Sequence, residues 1–525
     1  MLRFSTSLFF ALLLGFPCIA ADLNAPFGAL TFAGQGAAET GGSSIVDGDA
    51  EGHWQLSGGR LTPSDRGDSA DLSRAPYRLR LDNGNTVTVT VTPDTYSVAS
   101  ETELLGVIRL GGDLSGRSVE LREIGRPYLM TDMWGTMHEF TREVVFRSAD
   151  PGNPAAIGEW NFVGPEGPRN ITWEDLVFEA DVSRQDGEPS YPRPALRLGG
   201  GRNITFRRVE FDGNLPEWQR GRYENPPVQF EAVSIDGARD ILIENCEFHH
   251  FVHGLGMVIG ENITIRGNDF RALWGDPINI SPGGDGNDTR NIVVSDNVVR
   301  DFIGNYNSYR HPDFIQIFPK GNLVNPGDIV GLTVERNFVF MGTETPGRGQ
   351  GQGVLIQEGR QGQWPGGELR DFVARGNVFF LDSIHGISST SGIPLLVNPL
   401  ISGNTILPDN RASKPRAEYP TIRVQSRGGA IIGNVVSNPI SAGASTAQAQ
   451  NLVAQIDVRD MRTYQTMYNA LNFSPRTLAE ALQAVTVRGG GPLDTDRSGG
   501  PSGGDIGAVY VRNGPSWQWL GAMRP

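Results

Sequence analysis

"NITIRGNDF", residues 262–270, is one variation on a pattern that runs through the middle of the chain. Upstream stand "NITWEDLVF" at 170–178, "NITFRRVEF" at 203–211 and "DILIENCEF" at 240–248. Downstream follow "NIVVSDNVV" at 291–299, "GLTVERNFV" at 331–339, "DFVARGNVF" at 371–379, "NPLISGNTI" at 398–406 and "GGAIIGNVV" at 428–436. The second and fourth residues are mostly apolar, as a strand with one buried face requires. The ninth is apolar too, often Phe or Val. The seventh becomes Asn268, Asn297, Asn337, Asn377, Asn404 and Asn434. The interval varies from 22 to 40 residues (240 to 262, 291 to 331), so a fixed unit is separated by excursions of unequal length.

That combination predicts a parallel β-solenoid. One turn cannot bury its apolar face alone, but a stack can. Equivalent residues then superpose at the strand spacing of roughly 4.8 Å. A column of asparagines can bond side chain to side chain, and Asn tolerates the left-handed backbone of a tight corner. Asn170, Asn203, Asn262 and Asn291 make a second polar column at the strand entrance. Cys246 falls in the ladder column beside Asn268 and reads as a small core residue.

The chain begins "MLRFSTSLFFALLLGFPCIAADLN", with one early cation, an apolar run from Leu8 to Phe16, then small residues. This reads as a secretory signal peptide over 1–20, too short for a membrane span. Pro17 before Cys18 argues against a lipid anchor. No other stretch is long and apolar enough to cross a membrane, so a secreted or periplasmic protein is expected. Of the 2 cysteines only Cys246 would remain, which leaves no internal disulfide and no zinc–cysteine cluster. The net charge of −14 argues against nucleic-acid binding. It also means that an acidic ligand needs a local cationic patch or a bound cation.

The flanks differ from the repeats. Residues 21–99, with the strictly alternating "NGNTVTVTVTP" from Asn83, read as a small β-rich region. "SETELLGVI" from Ser100 reads as an amphipathic helix able to cover the open end of a solenoid, whose strand edges would otherwise be unpaired. The solenoid is expected over 100–440. Residues 441–525 hold a short helix, "PRTLAEALQAV" from Pro475, and a Gly-rich segment, packing on or capping the coil.

The coil with its asparagine ladder resembles the right-handed parallel β-helix of the pectin-lyase-like superfamily. "SVELREIGRPY" from Ser118 and "REVVFRSADPGNPAAI" from Arg142 resemble the first turns of alginate lyases and chondroitinase-B-like lyases. The fold class implied is all-β, a right-handed parallel β-helix with an N-terminal capping helix and the small β-rich appendage. The superfamily holds lyases, epimerases, hydrolases, esterases and non-enzymatic adhesins, so the resemblance implies a fold and a range of activities.

The third strand of successive turns carries the candidate site. "GLGMVI" from Gly254, "GDPINI" from Gly275, "PDFIQI" from Pro312, "GQGVLI" from Gly351 and "IHGISS" from Ile384 share one pattern. Met257/Ile259, Ile278/Ile280, Ile315/Ile317 and Val354/Ile356 are the expected buried pairs. Two places earlier stand Leu255, Asp276, Asp313, Gln352 and His385; two further back stand His253, Trp274 and His311. Strict alternation would bury Asp276 and Asp313, which is costly for bare carboxylates. They are therefore expected at the corner entering the strand, facing solvent. A corner-capping role accounts for either Asp alone. Two stacked like charges are a poor structural choice and point to function. The longest excursions surround these turns and bring Tyr306, Tyr309, Trp364, Arg300, Arg310, Arg348 and Lys320.

Two reactions fit. β-Elimination on a uronic-acid polysaccharide needs the sugar carboxylate neutralised, a base and an acid. Asp276 and Asp313, with Asn279 or Gln316, can hold calcium through oxygens. His311, Arg310 or Lys320 would take the proton. Trp274, Tyr306, Tyr309, His253, Gln352 and His385 would line the sugar groove. C5 epimerisation uses nearly the same groups. The alternative is hydrolysis: "GDPINI" and "PDFIQI" resemble the aspartate strands of polygalacturonase-like hydrolases, although Pro312 stands where that family has its third Asp. A non-catalytic polysaccharide-binding or adhesive coil is the remaining class. Calcium is the implied cofactor, no organic cofactor is expected, and nothing in the sequence fixes the oligomeric state.

Overall fold

The computed structural model describes residues 95–109, 114–129, 139–158, 160–162, 167–180, 195–214, 231–300, 312–319, 325–340, 351–357, 364, 367–389, 395–408 and 419–453, with short strand segments between 20 and 92 and at 510–513 and 516–519. Most of the signal segment (1–19) and the helix expected from Pro475 lie outside the described residues.

Two compact units are present: Met1–Ser97 with Gly116–Val119, and Val98–Ser115 with Glu120–Pro525. The first is β-rich, as alternation in "TVTVTVT" requires. Thr86–Thr92 pairs antiparallel with Tyr77–Leu81, and Trp54–Ser57 pairs antiparallel with Arg60–Pro63.

The second unit is a right-handed parallel β-helix. Each nonapeptide opens with a strand that pairs in parallel with its equivalents one turn before and after. Ile204 sits beside Ile171 and Ile241, Ile263 beside Ile241 and Ile292, and Leu332 beside Ile292. The seventh to ninth residues begin or precede a shorter strand, and eleven such strands stack from Ala156–Ile157 to Leu452–Val453. A third set includes Ile278–Ile280, Asp313–Ile317, Gln352–Ile356 and His385–Ser389. The core fills from all three: Trp173 stacks on Phe206 with ring centroids 4.9 Å apart, and Phe211, Phe248 and Phe270 stack at 4.6 and 4.7 Å.

Sharp corners set the geometry. The first and sixth residue of every nonapeptide has positive φ: Asn170, Asn203, Asp240, Asn262, Asn291, Gly331, Asp371, Asn398 and Gly428 at the first place, and Asp175, Arg208, Asn245, Gly267, Asp296, Arg336, Gly376, Gly403 and Gly433 at the sixth. Mostly Gly, Asn and Asp, these are the residues that adopt the left-handed region at least cost. The ladder asparagines themselves do not occupy it; the corner is made by the residue just before each rung. The two arginines at such corners are each clamped to the corner Asp of the preceding turn, Arg208 Nε to Asp175 at 2.7 Å and Arg336 Nε to Asp296 at 2.8 Å.

The rungs are one column. Nδ2 of Asn268, Asn297, Asn337, Asn377 and Asn404 donates to Oδ1 of the next rung at 2.8–2.9 Å. Each Oδ1 also accepts the backbone N–H of the previous rung, and each Nδ2 also reaches a backbone carbonyl, Asn337 to Val294 O at 2.9 Å. Asn434 continues to Asn451, so the coil runs one rung beyond the expected end at 440. Cys246 N–H donates to Asn268 Oδ1 at 2.9 Å, and burial pushes its thiol up to about 12. The entrance column is bonded as well, Asn203 to Asn170 at 2.7 Å and Asn291 to Asn262 at 3.1 Å.

The helix spans Glu101–Ile108. Ser100 Oγ caps the helix by accepting from Glu103 N–H at 3.2 Å, and the Glu103 carboxylate accepts from Ala99 N–H, one residue before the cap, at 2.6 Å. Leu104 and Ile108 are its buried face.

Two outcomes follow. Asn337→Ala leaves the buried Asn297 N–H and Val294 carbonyl without their partner, each worth roughly 1–3 kcal/mol. Urea unfolding should therefore show a large loss, whereas Asn203→Gly, at an exposed left-handed corner, should change little. Equal effects of the two would contradict the ladder. Secondly, burial raises the Glu244 carboxyl, but the guanidiniums of Arg207 (2.8 Å) and Arg266 (2.6 Å) outweigh it and hold the group below its ordinary value. Its contribution is present above the unfolded value and is lost as pH falls through the folded one. Glu244→Gln should flatten the acid limb of a stability–pH curve, which calorimetric Tm against pH measures.

Candidate active site

Two facts settle which way the third-strand residues point. The Phe314 ring meets Phe379 of the short sheet, centroids 5.7 Å apart. At equivalent places a Cβ on Gly254, Gly353 or Gly386 would meet Phe270, Phe379 or Ile406 at 2.7–3.1 Å. This column therefore faces the core, together with the isoleucines that follow it. The column one residue earlier, which contains Asp276 and Asp313, lies outside that apolar face.

The register of this polar column differs from the expected one at its first turn. Leu255 pairs with Ile278 and Val258 with Ile280, with a bulge between them. The extra residue shifts the strand, so Leu255 and Val258 are the buried pair and Met257 is half-exposed. Gly256 makes room at the bulge, since a Cβ there would lie 1.9 Å from the Glu231 carboxylate carbon. His253, not Leu255, therefore occupies the column. Glu231 pairs with His253, Asp313 with Gln352, and His385 with Thr421. The sequence reading missed Glu231, although "EAVSID" aligns with "HGLGMVI" once the bulge is allowed.

Neighbouring members are bonded across turns. Asp276 N–H donates to His253 Nδ1 at 3.1 Å, and Asp313 N–H donates to Asp276 Oδ1 at 2.8 Å. A ring nitrogen that accepts an N–H carries a lone pair, so the proton of a neutral His253 is on Nε2. Asn279 Nδ2 lies 3.5 Å from the same Nδ1, which brings the Asn279–Gln316 column against the His253 column. Gln316 Nε2 donates to Gln357 Oε1 at 3.2 Å.

Exposure is where expectation and structure part. Asp276 is 4% and Asp313 0% exposed, and Asn279, Gln352 and Trp274 are buried as well. The two carboxylates stand at the corner but do not face solvent. The cross-turn hydrogen bond from Asp313 N–H replaces part of the water of the Asp276 carboxylate, as a buried polar group requires. His253, His385 and Gln316 are half-buried. Arg310, His311, Lys320, Tyr306, Tyr309 and Arg348 lie outside the described residues. Trp364 is 1% exposed and its Nε1 donates to Gly327 O at 2.9 Å, so it is a core residue and not a sugar platform. Arg300 pairs with Asp269 at 2.7 Å in the short sheet and is likewise structural.

Two buried oxygens, Asn279 Oδ1 and Gln352 Oε1, have no hydrogen-bond partner among the described residues. They flank the Asp276–Asp313 pair in the two converging columns. Oxygen donors of this kind suit a hard cation or the hydroxyls of a sugar.

No protein-family model and no curated protein matches the chain. Among solved structures, an alginate lyase from Paenibacillus sp. is 14% identical, with 67% of this chain and 99% of that one covered and a TM-score of 0.39. The A-module of a mannuronan C-5 epimerase from Azotobacter vinelandii is 16% identical, covering 69% and 97%, TM-score 0.34. A tailspike capsular polysaccharide depolymerase from the Acinetobacter baumannii bacteriophage Fri1 is 12% identical, covering 86% and 75%, TM-score 0.38. The fold itself rests on the strand pairing described above.

The bonding pattern predicts separable stability effects. Asp276→Ala removes the acceptor of the buried Asp313 N–H and should cost about 1–3 kcal/mol, while Asp276→Asn, which keeps an oxygen there, should cost less. Ile315→Ala opens a core cavity and should cost roughly 2–5 kcal/mol. Denaturant titration of the three variants checks the order; an Asp276→Ala protein as stable as wild type would remove the cross-turn bond from the account.

Proposed function

We propose that the chain is a secreted carbohydrate-active enzyme that acts on an acidic, uronic-acid-containing polysaccharide, by β-elimination or by C5 epimerisation. The observation that carries this reading is the column His253–Asp276–Asp313–Gln352–His385. Imidazoles, carboxylates and an amide stand on successive turns, outside the apolar face, with the unpartnered Gln352 Oε1 among them and Asn279 Oδ1 in the adjoining column.

A uronate presents a carboxylate, and a carbon beside it whose proton must leave. In elimination a base takes that proton, the bond to the leaving oxygen breaks, and the electron pair becomes the new double bond. The leaving oxygen takes a proton. In epimerisation the proton is returned to the opposite face instead. Arg310 and His311 just before the Asp313 strand, and Lys320 just after it, are the proposed proton-transfer groups; His253, with its accepting Nδ1, is a further one. Trp274, Tyr306, Tyr309, Gln316 and His385 are the proposed sugar contacts.

Calcium fits the donor set. Asp276, Asp313, Asn279 and Gln352 supply oxygens, the ligand type that a hard cation takes. Such an ion would neutralise the substrate carboxylate and stabilise charge developing next to it. The same two carboxylates favour hydrolysis as the second reading, one acting as acid and one as base.

Incubation with alginate, pectate and glycosaminoglycans, followed by ultraviolet absorbance, separates these. New absorbance from unsaturated ends is the expected result; reducing ends without it would replace elimination by hydrolysis. Proton exchange from solvent into the polymer without cleavage would identify epimerisation. Asp313→Asn, His311→Ala and Lys320→Ala should each lower turnover about a hundredfold or more if they move protons or hold the cation. Chelation should lower activity and Tm together, since calcium at a hundredfold excess over its Kd stabilises by about 2.7 kcal/mol. Folded variants that all retain full turnover would place the site elsewhere.

A further inference from the structure

A second cluster stands away from the polar column, on the short sheet. Asp212 ends the strand Glu210–Asp212 and pairs directly with His249, which ends Glu247–His249. His250 follows at the corner with φ +59. His249 Nδ1 and His250 Nδ1 are 2.8 Å apart. Asp212 Oδ1 lies 3.3 Å from the first and 3.4 Å from the second. Three potential ligand atoms thus form a small triangle. His249 and His250 are 3% and 9% exposed, while Asp212 and Glu210 are more open.

The tautomers are constrained. His249 Nε2 is 2.8 Å from Glu210 Oε1. A carboxylate only accepts, so Nε2 carries the hydrogen and a neutral His249 presents a lone pair at Nδ1. Carboxylate-held imidazoles with the other nitrogen free to ligate are the usual support of metal-binding histidines. Asp212 Oδ1 is itself aimed by Asn214 N–H, which donates to it at 2.8 Å. Gly213 permits the close approach of the two strands' ends, because a Cβ there would lie 1.9 Å from His250 O. Arg271, next to His249 in the register, is engaged by Glu247 at 3.0 Å.

We propose that Asp212, His249 and His250 form a binding site for a divalent transition-metal ion of the zinc type. An ion about 2.0–2.1 Å from nitrogen and oxygen ligands reaches all three atoms of a triangle this small. Two imidazole nitrogens with one carboxylate select a borderline cation over calcium, which prefers an all-oxygen shell. Three protein ligands leave a coordination position for water or a ligand group. The chain continues from His250 through Val252 to His253, the first imidazole of the polar column. A metal at this corner would fix the entry to that strand.

The test does not depend on any polysaccharide activity. The full chain, stripped with chelator, is titrated with Zn²⁺ by calorimetry and with Co²⁺ by visible absorbance. One equivalent of Zn²⁺ with micromolar or tighter Kd, and Co²⁺ bands of a low-coordinate nitrogen–oxygen site, are expected. Asp212→Asn, His249→Gln and His250→Asn should each weaken Zn²⁺ by at least tenfold; Asn suits the left-handed backbone at 250, so that variant keeps the corner. Glu210→Ala should weaken it by about 10- to 100-fold, and His253→Gln should leave it unchanged. Absence of stoichiometric Zn²⁺ binding would overturn the proposal. So would variants at 212, 249 and 250 that, with wild-type far-ultraviolet spectra, bind Zn²⁺ as tightly as the parent, or calcium bound as tightly as zinc.

Discussion

The structure depends on stacking identical corners. A β-helix turn is stable only if its strands align with those of the turns on either side, and alignment is set where the backbone reverses. Here each nonapeptide places left-handed residues at its first and sixth positions, and in the last six a ladder amide follows immediately after the second corner. The amide satisfies one backbone N–H and one carbonyl per turn that the corner would otherwise leave buried and bare. Excursions between corners can then vary in length without disturbing the register, because register is fixed afresh at each rung. That is why intervals of 22 and 40 residues coexist in one regular coil.

The same logic explains what was legible in the sequence. The ladder and the entrance column recur at fixed offsets inside the nonapeptide, so Asn268 to Asn434 could be placed in one column by inspection. The left-handed residues could not be assigned to the right position as easily, since Asn is found at both. Arg208 and Arg336 hide the corner altogether; only their ion pairs with Asp175 and Asp296 show why arginine is tolerated there. The extra rung at Asn451 sits in "STAQAQNLV" at 445–453, whose second and fourth residues are polar, so it did not stand out as a repeat.

The site was legible in its chemistry and not in its register or burial. Asp276, Asp313, Gln352 and His385 do share a column. A single bulge at Gly256 exchanged His253 for Leu255, and bulges leave no periodic trace in a strand this short. Burial was misjudged because leaving the apolar face was equated with reaching solvent: Phe314 and Ile315 both turn to the core, so Asp313 escapes the apolar face and is still buried. The pair "HH" at 249–250 was visible as letters, but its partner Asp212 lies 37 residues earlier (249 less 212) and only the stacking of turns brings the three together.

A solenoid makes charge repetition a problem, since any side chain is repeated against its equivalent about one strand spacing away. In several of its columns this coil answers with opposite charges on neighbouring turns. Arg207 and Arg266 enclose Glu244, Arg375 reaches Glu335, and Arg336 reaches Asp296. Amides serve both as donor and acceptor, so the asparagine ladder repeats without penalty. Asp276 and Asp313 depart from that pattern: two buried acids stand on adjacent turns, with Asp313 N–H donating to Asp276 Oδ1 at 2.8 Å. A pair of buried acids on adjacent turns, beside His253, is the physical reason to look for chemistry here and not along the ion-paired columns of the first sheet.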